Sequence, residues 1–378
     1  MDFKGADAAR CAGSDRILRM QASPSALITG ITGQDGAHLA EFLLGRGYVV
    51  HGVRLYSATD DTQRLRDILD HPRFHLHIGD LNDGGSLARL IRDCAPDEIY
   101  NLAAQSHVHA SFKVPEATAQ INALGPLRLL EAIRLLGREH EIKFYQASSS
   151  EMFGNAPAPQ SEDTPFTPCS PYAAAKLYAY WLVRNYRDAY GMFACNGILF
   201  NHESALRGQE FVTQKIARGV AALASGHDAP ALVLGNLNSR RDWGDARDYV
   251  RGMWMMLQRD TPDDYVLGTG QSYSVRDFVN AAFDAVGFTL TWTGIGVGET
   301  ARCARTGRLL VSIDPSLFRP TEVNNLIADA AKARTVLGWM PETDFQTLVR
   351  DMVAAAMDNT QKSHGDDDWT NDNYARLA

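Results

Sequence analysis

The chain has 378 residues, 45% hydrophobic and 22% charged, with a net charge of −8. That length suits one large or two smaller globular domains, and the acidic balance argues against a nucleic-acid surface, so an anionic ligand needs a local cation cluster. Five scattered cysteines (Cys11, Cys94, Cys169, Cys195, Cys303) form no C-x-x-C pair and no apolar run nears the ~18 residues of a membrane span, which leaves a reducing cytoplasm as the expected setting.

Residues 1–24 carry charges throughout without an apolar signal core, and read as a flexible leader. Ala26-Leu27-Ile28 is an apolar run ending at Thr29. Gly30, Gly33 and Gly36 follow, and a helical pattern begins at Leu39. Strand, glycine turn and helix are the context that a dinucleotide fingerprint requires. The first glycine allows the turn, the second admits a pyrophosphate, and the third lets the helix pack on the strand. Gly30, Ile31, Thr32, Gly33, Gln34, Asp35 and Gly36 are the candidate phosphate loop, at a helix N-terminus.

The helix runs to about Gly45–Gly47, with Gly47 as its C-terminal cap. Val49-Val50-His51-Gly52-Val53 is a second buried strand. An acid about 20 positions beyond the glycines would favour NAD. The sequence has Arg54 instead, and a cation suits the 2′-phosphate of NADP. A solvated strand end is the other reading of Arg54. Phe74 to Ile78 alternates as a third strand, followed by Asp80, a candidate partner for adenine. His75 and His77 share one face, and without a third ligand they read as strand filling, with no metal.

Glu98 to Leu102 is a fourth strand, ending in Ala103, Ala104, Gln105 and Ser106, small enough to admit a nicotinamide ribose. A helix from Asn122 to about Leu136 precedes a fifth strand, Lys143 to Ala147, which ends in Ser148-Ser149-Ser150-Glu151. Strands alternating with helices predict an α/β chain with a doubly wound parallel sheet, whose ligands gather at the carboxyl ends of the strands. Pro171 opens an aromatic-rich helix, and Asn196 to Phe200 is a sixth strand. Beyond it come a helix from Phe211 to Ser225, a strand Ala231–Leu234, a loop Arg240–Trp243 and a helix from Asp248 to Gln258. A helix capped by Ser274, a last helix from Thr343 to Met357 and an acidic, solvated tail at 364–368 complete the chain.

Tyr172 and Lys176 lie four apart, on one helix face. An ammonium beside a phenol favours the phenolate, so the pair can take a proton from a sugar hydroxyl while its carbon yields a hydride. Y-x-x-x-K is common by chance, but here it follows T-G-x-x-G-x-x-G at the expected distance.

These motifs resemble the extended short-chain dehydrogenase/reductase family. The stretches L-I-T-G-I-T-G-Q-D-G, P-D-E-I-Y-N-L-A-A-Q-S-H-V, F-Y-Q-A-S-S-S-E-M-F-G, S-P-Y-A-A-A-K-L-Y-A-Y-W and R-D-W-G-D-A-R-D-Y-V look like its GDP-mannose 4,6-dehydratase branch over residues 25 to 357. The resemblance implies a Rossmann domain over 25–202 plus roughly 237–268. It also implies a smaller α/β substrate domain over 203–236 and 269–357, with a tail from 358. It makes Ser149, Glu151, Tyr172 and Lys176 catalytic. Ser150-Glu151 departs from the Asp-Glu typical of dehydratases acting on dTDP-glucose. Leu81, Leu102, His202 and Arg207 join the cofactor side. Ser106, Ser149, Asn201, Val212, Lys215, Arg241, Arg319 and Glu322 form the substrate side.

Three departures stand out. Ser149 replaces a usual threonine, Ala117 replaces a tyrosine, and Leu55-Tyr56 replaces an arginine pair tied to the 2′-phosphate and to a tetramer contact. NADP is expected with NAD as the alternative, and a homodimer stands beside a homotetramer. The expected reaction is 4,6-dehydration of GDP-mannose. The same reaction on a GDP-manno-heptose is one alternative. A cofactor-binding regulator without catalysis is another, although Tyr172, Lys176 and Glu151 all stand.

Overall fold

The computed structural model describes residues 23–226, 229–318, 323 and 325–362. The leader (but for its last two residues), Arg319, Glu322 and the acidic tail at 364–368 lie outside the described residues.

In chain order the strands are β1 (Ser25–Thr29), β2 (Val49–Arg54), β3 (Phe74–Ile78), β4 (Glu98–Asn101), β5 (Lys143–Ser149), β6 (Ala194–Leu199), β7 (Asn201–Glu203) and β8 (Leu232–Leu234). They continue as β9 (Arg240–Arg241), β10 (Trp243–Asp245), β11 (Tyr265–Leu267), β12 (Tyr273–Ser274), β13 (Leu290–Thr293), β14 (Thr300–Cys303) and β15 (Leu309–Ile313). Seven of them form one parallel sheet in the order β11-β6-β5-β4-β1-β2-β3. The chain winds outward through β2 and β3, then restarts at β4 on the other side of β1. That reversal opens a crevice at the carboxyl ends of β1 and β4, where Thr29 and Asn101 pair.

β1 is continuously apolar because both its faces are covered. Ala26 and Ile28 pack with Leu39 and Leu43 of the helix Gln34–Gly45 and with Met253 of the helix Ala246–Leu257. Leu27 points the other way, toward Leu87, Leu129 and Val183 of the helices Gly84–Cys94, Gly125–Leu135 and Pro171–Tyr190. A second sheet, β13-β14-β15-β8, is covered by the helices Val212–Ala224, Val275–Ala285 and Phe345–Lys362 around Ile216, Phe278, Phe283 and Met352.

Three sequence expectations change. The Arg240–Trp243 segment is not a loop: β9 pairs with β12 and β10 with β7. Strands of two and three residues carry no readable period, and tertiary pairing makes them. The helix expected from Asn122 starts instead at Pro115, with a wide π turn at Gln120–Leu124 before Gly125–Leu135. Pro126 has no N–H to give to the Asn122 carbonyl, which favours the widening there. The last helix extends to Lys362. No helix among the described residues is long and apolar enough to cross a membrane.

Candidate active site

Gly30 has φ +70°, and a Cβ there would lie 2.7 Å from the Ala103 nitrogen. A Cβ at Gly36 would lie 2.4 Å from the Gly30 carbonyl oxygen. Only glycine fits both places, and the turn is thereby pressed against the β4 loop. No side chain caps the helix that follows, which leaves its first N–H groups available to a pyrophosphate.

Beneath this turn runs a buried polar chain. The Leu102 and Ala103 N–H groups, each 3.2 Å away, donate to the Thr29 hydroxyl, which donates to Asn101 at 2.7 Å. Asn101 donates to Gln146 at 2.8 Å, and Gln146 donates to the Ala147 carbonyl. Lys176 Nζ donates to that same carbonyl at 2.8 Å. The fingerprint and the helix carrying Tyr172 are thus linked through the ends of β1, β4 and β5. The sequence reading missed Thr29, Asn101 and Gln146. Their signal was a polar residue placed inside otherwise buried strand ends.

Asp35, inside the phosphate loop, is turned onto His202, whose Nε2 lies 2.8 Å from its carboxylate. His202 Nδ1 meets the Phe200 carbonyl, and its ring stacks on Tyr249 at 4.6 Å. Burial, the largest single influence, would raise the Asp35 pKa, but the charge and hydrogen bond of His202, with the Gln34 hydrogen bond and the Arg207 charge, together outweigh it and hold the carboxyl well below its usual range. Burial likewise opposes the His202 charge most strongly, and the Asp35 charge and hydrogen bond, with the Phe200 carbonyl, together overcome it, so the imidazole pKa is raised. The pairing neutralises an acid that would otherwise repel a pyrophosphate. The depressed carboxyl contributes stability above its unfolded pKa near 3.9, and the raised imidazole contributes below its unfolded value near 6.5. Both contributions are present together from about pH 4 to 6.5. Asp35→Asn is expected to cost about 1–3 kcal/mol in that window and less at alkaline pH, read from urea midpoints of the two proteins. An equal loss at all pH values would contradict the pairing.

Ser170 caps the helix Pro171–Tyr190, accepting from the Ala173 N–H, with Pro171 preset at its first position. This places Tyr172 (8% exposed) and Lys176 (4%) beside the end of β5, where Ser149 (9%) and Glu151 (8%) are also buried. Ser149 caps the short turn Ser150–Phe153 by accepting the Glu151 N–H at 3.2 Å, and it is hydrogen-bonded to Tyr172. The four sequence candidates therefore meet in one place. One expectation is reversed. Burial pushes the Tyr172 phenol up to about 12, and the Glu151 charge adds to the rise. Lys176 donates to the Ala147 carbonyl, with its Nζ 5.9 Å from the Tyr172 ring centre. Burial lowers Lys176 itself to about 8.

Gln105 is held by Asn122, which accepts its N–H and donates to its carbonyl, while Ser106 beside it is exposed. Ala104 and Leu102 are half-buried, Leu81 is buried, and Asp80 accepts the Asn82 N–H at 2.8 Å. Arg54 pairs with Asp61 at 2.5 Å, an acid the sequence reading had not connected to it. Arg207 meets Glu203 at 3.1 Å and lies 3.5 Å over the Phe211 ring. Asn201, next to His202, is on β7, Val212 and Lys215 on the first turns of the helix that starts at Val212, and buried Arg241 on β9. Arg241 donates to the Val323 carbonyl at 2.8 Å.

The histidine pair also differs from expectation. His77 faces His51, not His75 alone, and Cys94 adjoins it. Burial first, and the neighbouring histidines second, lower His51 to about 4.

A family model described as GDP-mannose 4,6 dehydratase matches residues 27–352. A GDP-mannose 4,6-dehydratase of Sinorhizobium fredii (strain HH103) is 57% identical over 334 residues, covering 87% of this chain and 95% of that protein. The Homo sapiens GDP-mannose 4,6 dehydratase is 51% identical over 337 residues, covering 87% and 90%. Among solved structures, a dTDP-glucose 4,6-dehydratase (DesIV) of Streptomyces venezuelae with NAD and TYD bound has a TM-score of 0.74 at 23% identity, covering 89% of this chain and 98% of its own. RMD of Pseudomonas aeruginosa, complexed with NADPH, has a TM-score of 0.69 at 23% identity, covering 89% and 100%.

Proposed function

The chain belongs to the GDP-mannose 4,6-dehydratase family, and from that membership we propose that Ser149, Glu151, Tyr172 and Lys176 convert GDP-mannose to GDP-4-keto-6-deoxymannose. The observation that carries the roles is the burial of Glu151 beside the Ser149–Tyr172 pair at one strand end. Oxidation at C4 alone needs a tyrosine, a lysine and a hydroxyl. Removing water needs one more group that takes and gives a proton, and Glu151 supplies it.

The glycine turn, the uncapped helix end and the small residues Ala103 and Ala104 fit a nicotinamide dinucleotide. When bound, that cofactor accepts a hydride from C4, returns it to C6, and adds a positive charge to the site. Tyr172 takes the O4 proton, with Ser149 holding the phenol in place. Glu151 removes the C5 proton, which the C4 ketone has made acidic. The same carboxyl delivers that proton to the C6 hydroxyl, which leaves as water. Tyr172 then returns its proton to C5.

We assign the larger sheet to the cofactor, and the smaller sheet with Lys215 and Arg241 to the GDP moiety, whose diphosphate matches their charge. Arg54 supports NADP over NAD. Its guanidinium must share itself between Asp61 and a 2′-phosphate. Arg54→Ala is expected to weaken NADP binding about 10- to 100-fold while leaving NAD unchanged, read by fluorescence titration of each cofactor. An unaltered NADP-to-NAD ratio would remove Arg54 from that role. The exposed Leu135, Tyr178 and Trp181 support a homo-oligomer. The free thiols of the described cysteines support a cytoplasmic setting.

Incubation with GDP-mannose and NADP+, with the keto product followed by its absorbance in alkali, tests the reaction. Turnover of a GDP-manno-heptose but not of GDP-mannose would overturn the substrate. Turnover of neither would overturn the catalytic reading.

A further inference from the structure

β2 and β3 run parallel with His51 opposite His75 and Val53 opposite His77. Residues in register share a face, so His51 and His77, two positions apart along the sheet, project to one side. The helix Gly84–Cys94 covers that side through Leu87 and Ile91, which pack on Val53. Its last residue, Cys94, therefore arrives over the two imidazoles. His51 Nδ1 lies 3.0 Å from His77 Nε2, and Cys94 Sγ lies 3.7 Å from the same Nε2. The three donor atoms all fall within 4.8 Å of one another. Each residue is half-buried.

The two spacings about His77 Nε2 are close to what a tetrahedral zinc-class ion demands. Bonds of about 2.0–2.1 Å to nitrogen and about 2.3 Å to sulfur place two nitrogens about 3.3 Å apart, and a nitrogen and a sulfur about 3.6 Å apart. An imidazole pair with a thiolate is a donor set that suits zinc over magnesium or calcium. We propose that His51, His77 and Cys94 bind one zinc-class divalent cation, with water in the fourth position. The Cys94 thiol gives its proton to solvent as the metal–sulfur bond forms. The site joins two strands to the helix between β3 and β4. It lies three and four strands across the sheet from β5, where Ser149 ends, so it is separate from the catalytic cluster. The sequence reading could not see it. His51, His77 and Cys94 are spread over 44 residues without motif spacing, and only the parallel register and the helix end unite them.

The bland alternative is a histidine–histidine hydrogen bond with a neighbouring core thiol. Anaerobic titration of the reduced full chain with Co²⁺ separates the two. One Co²⁺ per chain is expected, with the visible bands of tetrahedral cobalt and a sulfur-to-cobalt charge-transfer band, all bleached by equimolar Zn²⁺. Cys94→Ser is expected to lose the charge-transfer band, and His77→Gln to lose tight binding. Both variants should retain turnover of GDP-mannose, which reports that they fold. No tetrahedral bands in the parent chain, or a charge-transfer band that survives Cys94→Ser, would overturn the site.

Discussion

Glu151→Gln is expected to stop after the first half of the reaction. The amide matches the carboxylate in size, and the Glu151 N–H that Ser149 accepts belongs to the backbone, so the turn Ser150–Phe153 keeps its form. What is lost is a group that can accept a proton from C5 and give one to the C6 hydroxyl. Positioned acid–base groups contribute on the order of 10²- to 10⁴-fold, and kcat is expected to fall by that factor. Oxidation at C4 does not use the carboxyl. On mixing with GDP-mannose, the variant should therefore show bound nicotinamide that becomes reduced and stays reduced. Exchange of the C5 hydrogen with solvent deuterium should vanish as well. A variant that dehydrates at the parent rate would remove Glu151 from the mechanism.

Tyr172→Phe is expected to fail earlier, and the two variants are distinguishable by one absorbance trace. Phenylalanine fills the same buried space without the group that takes the O4 proton. The fall in kcat is again about 10²- to 10⁴-fold, but now no reduced nicotinamide accumulates. The pH dependence follows from the buried phenol. Its pKa stands at about 12 in the free protein, so the proton-accepting form becomes more abundant as pH rises. The parent kcat/KM is expected to rise with pH through the neutral range, and the residual activity of Tyr172→Phe to be flat. A normal burst of reduced nicotinamide in Tyr172→Phe would assign the O4 proton to another group.

The difference between these two variants rests on a division of labour within a few residues, and the sequence displayed that division unevenly. Tyr172 and Lys176 were legible because a helix repeats every 3.6 residues, so a spacing of four is already a statement about one face. Glu151 was legible only through the resemblance of its neighbours. A lone acid after a strand has no period to betray it. The rise in the Tyr172 pKa was not legible, because spacing reports proximity and not burial, and neither was the hydrogen-bond partner of Lys176. Its commitment to the Ala147 carbonyl depends on β5, far away in the chain.

Local chemistry sets the rest of what the residues alone determined. The glycine turn after β1, the continuous apolar strands of a doubly covered sheet and the proline-led helix of Tyr172 each follow from steric or periodic rules acting over a few neighbours. The tertiary structure decided what depends on partners remote in sequence. It paired Asp35 with His202 and Arg54 with Asp61. It made strands of Arg240–Arg241 and Trp243–Asp245, and it gathered His51, His77 and Cys94. Pairing of this kind is settled by register and burial across the sheet, and a linear pattern carries neither.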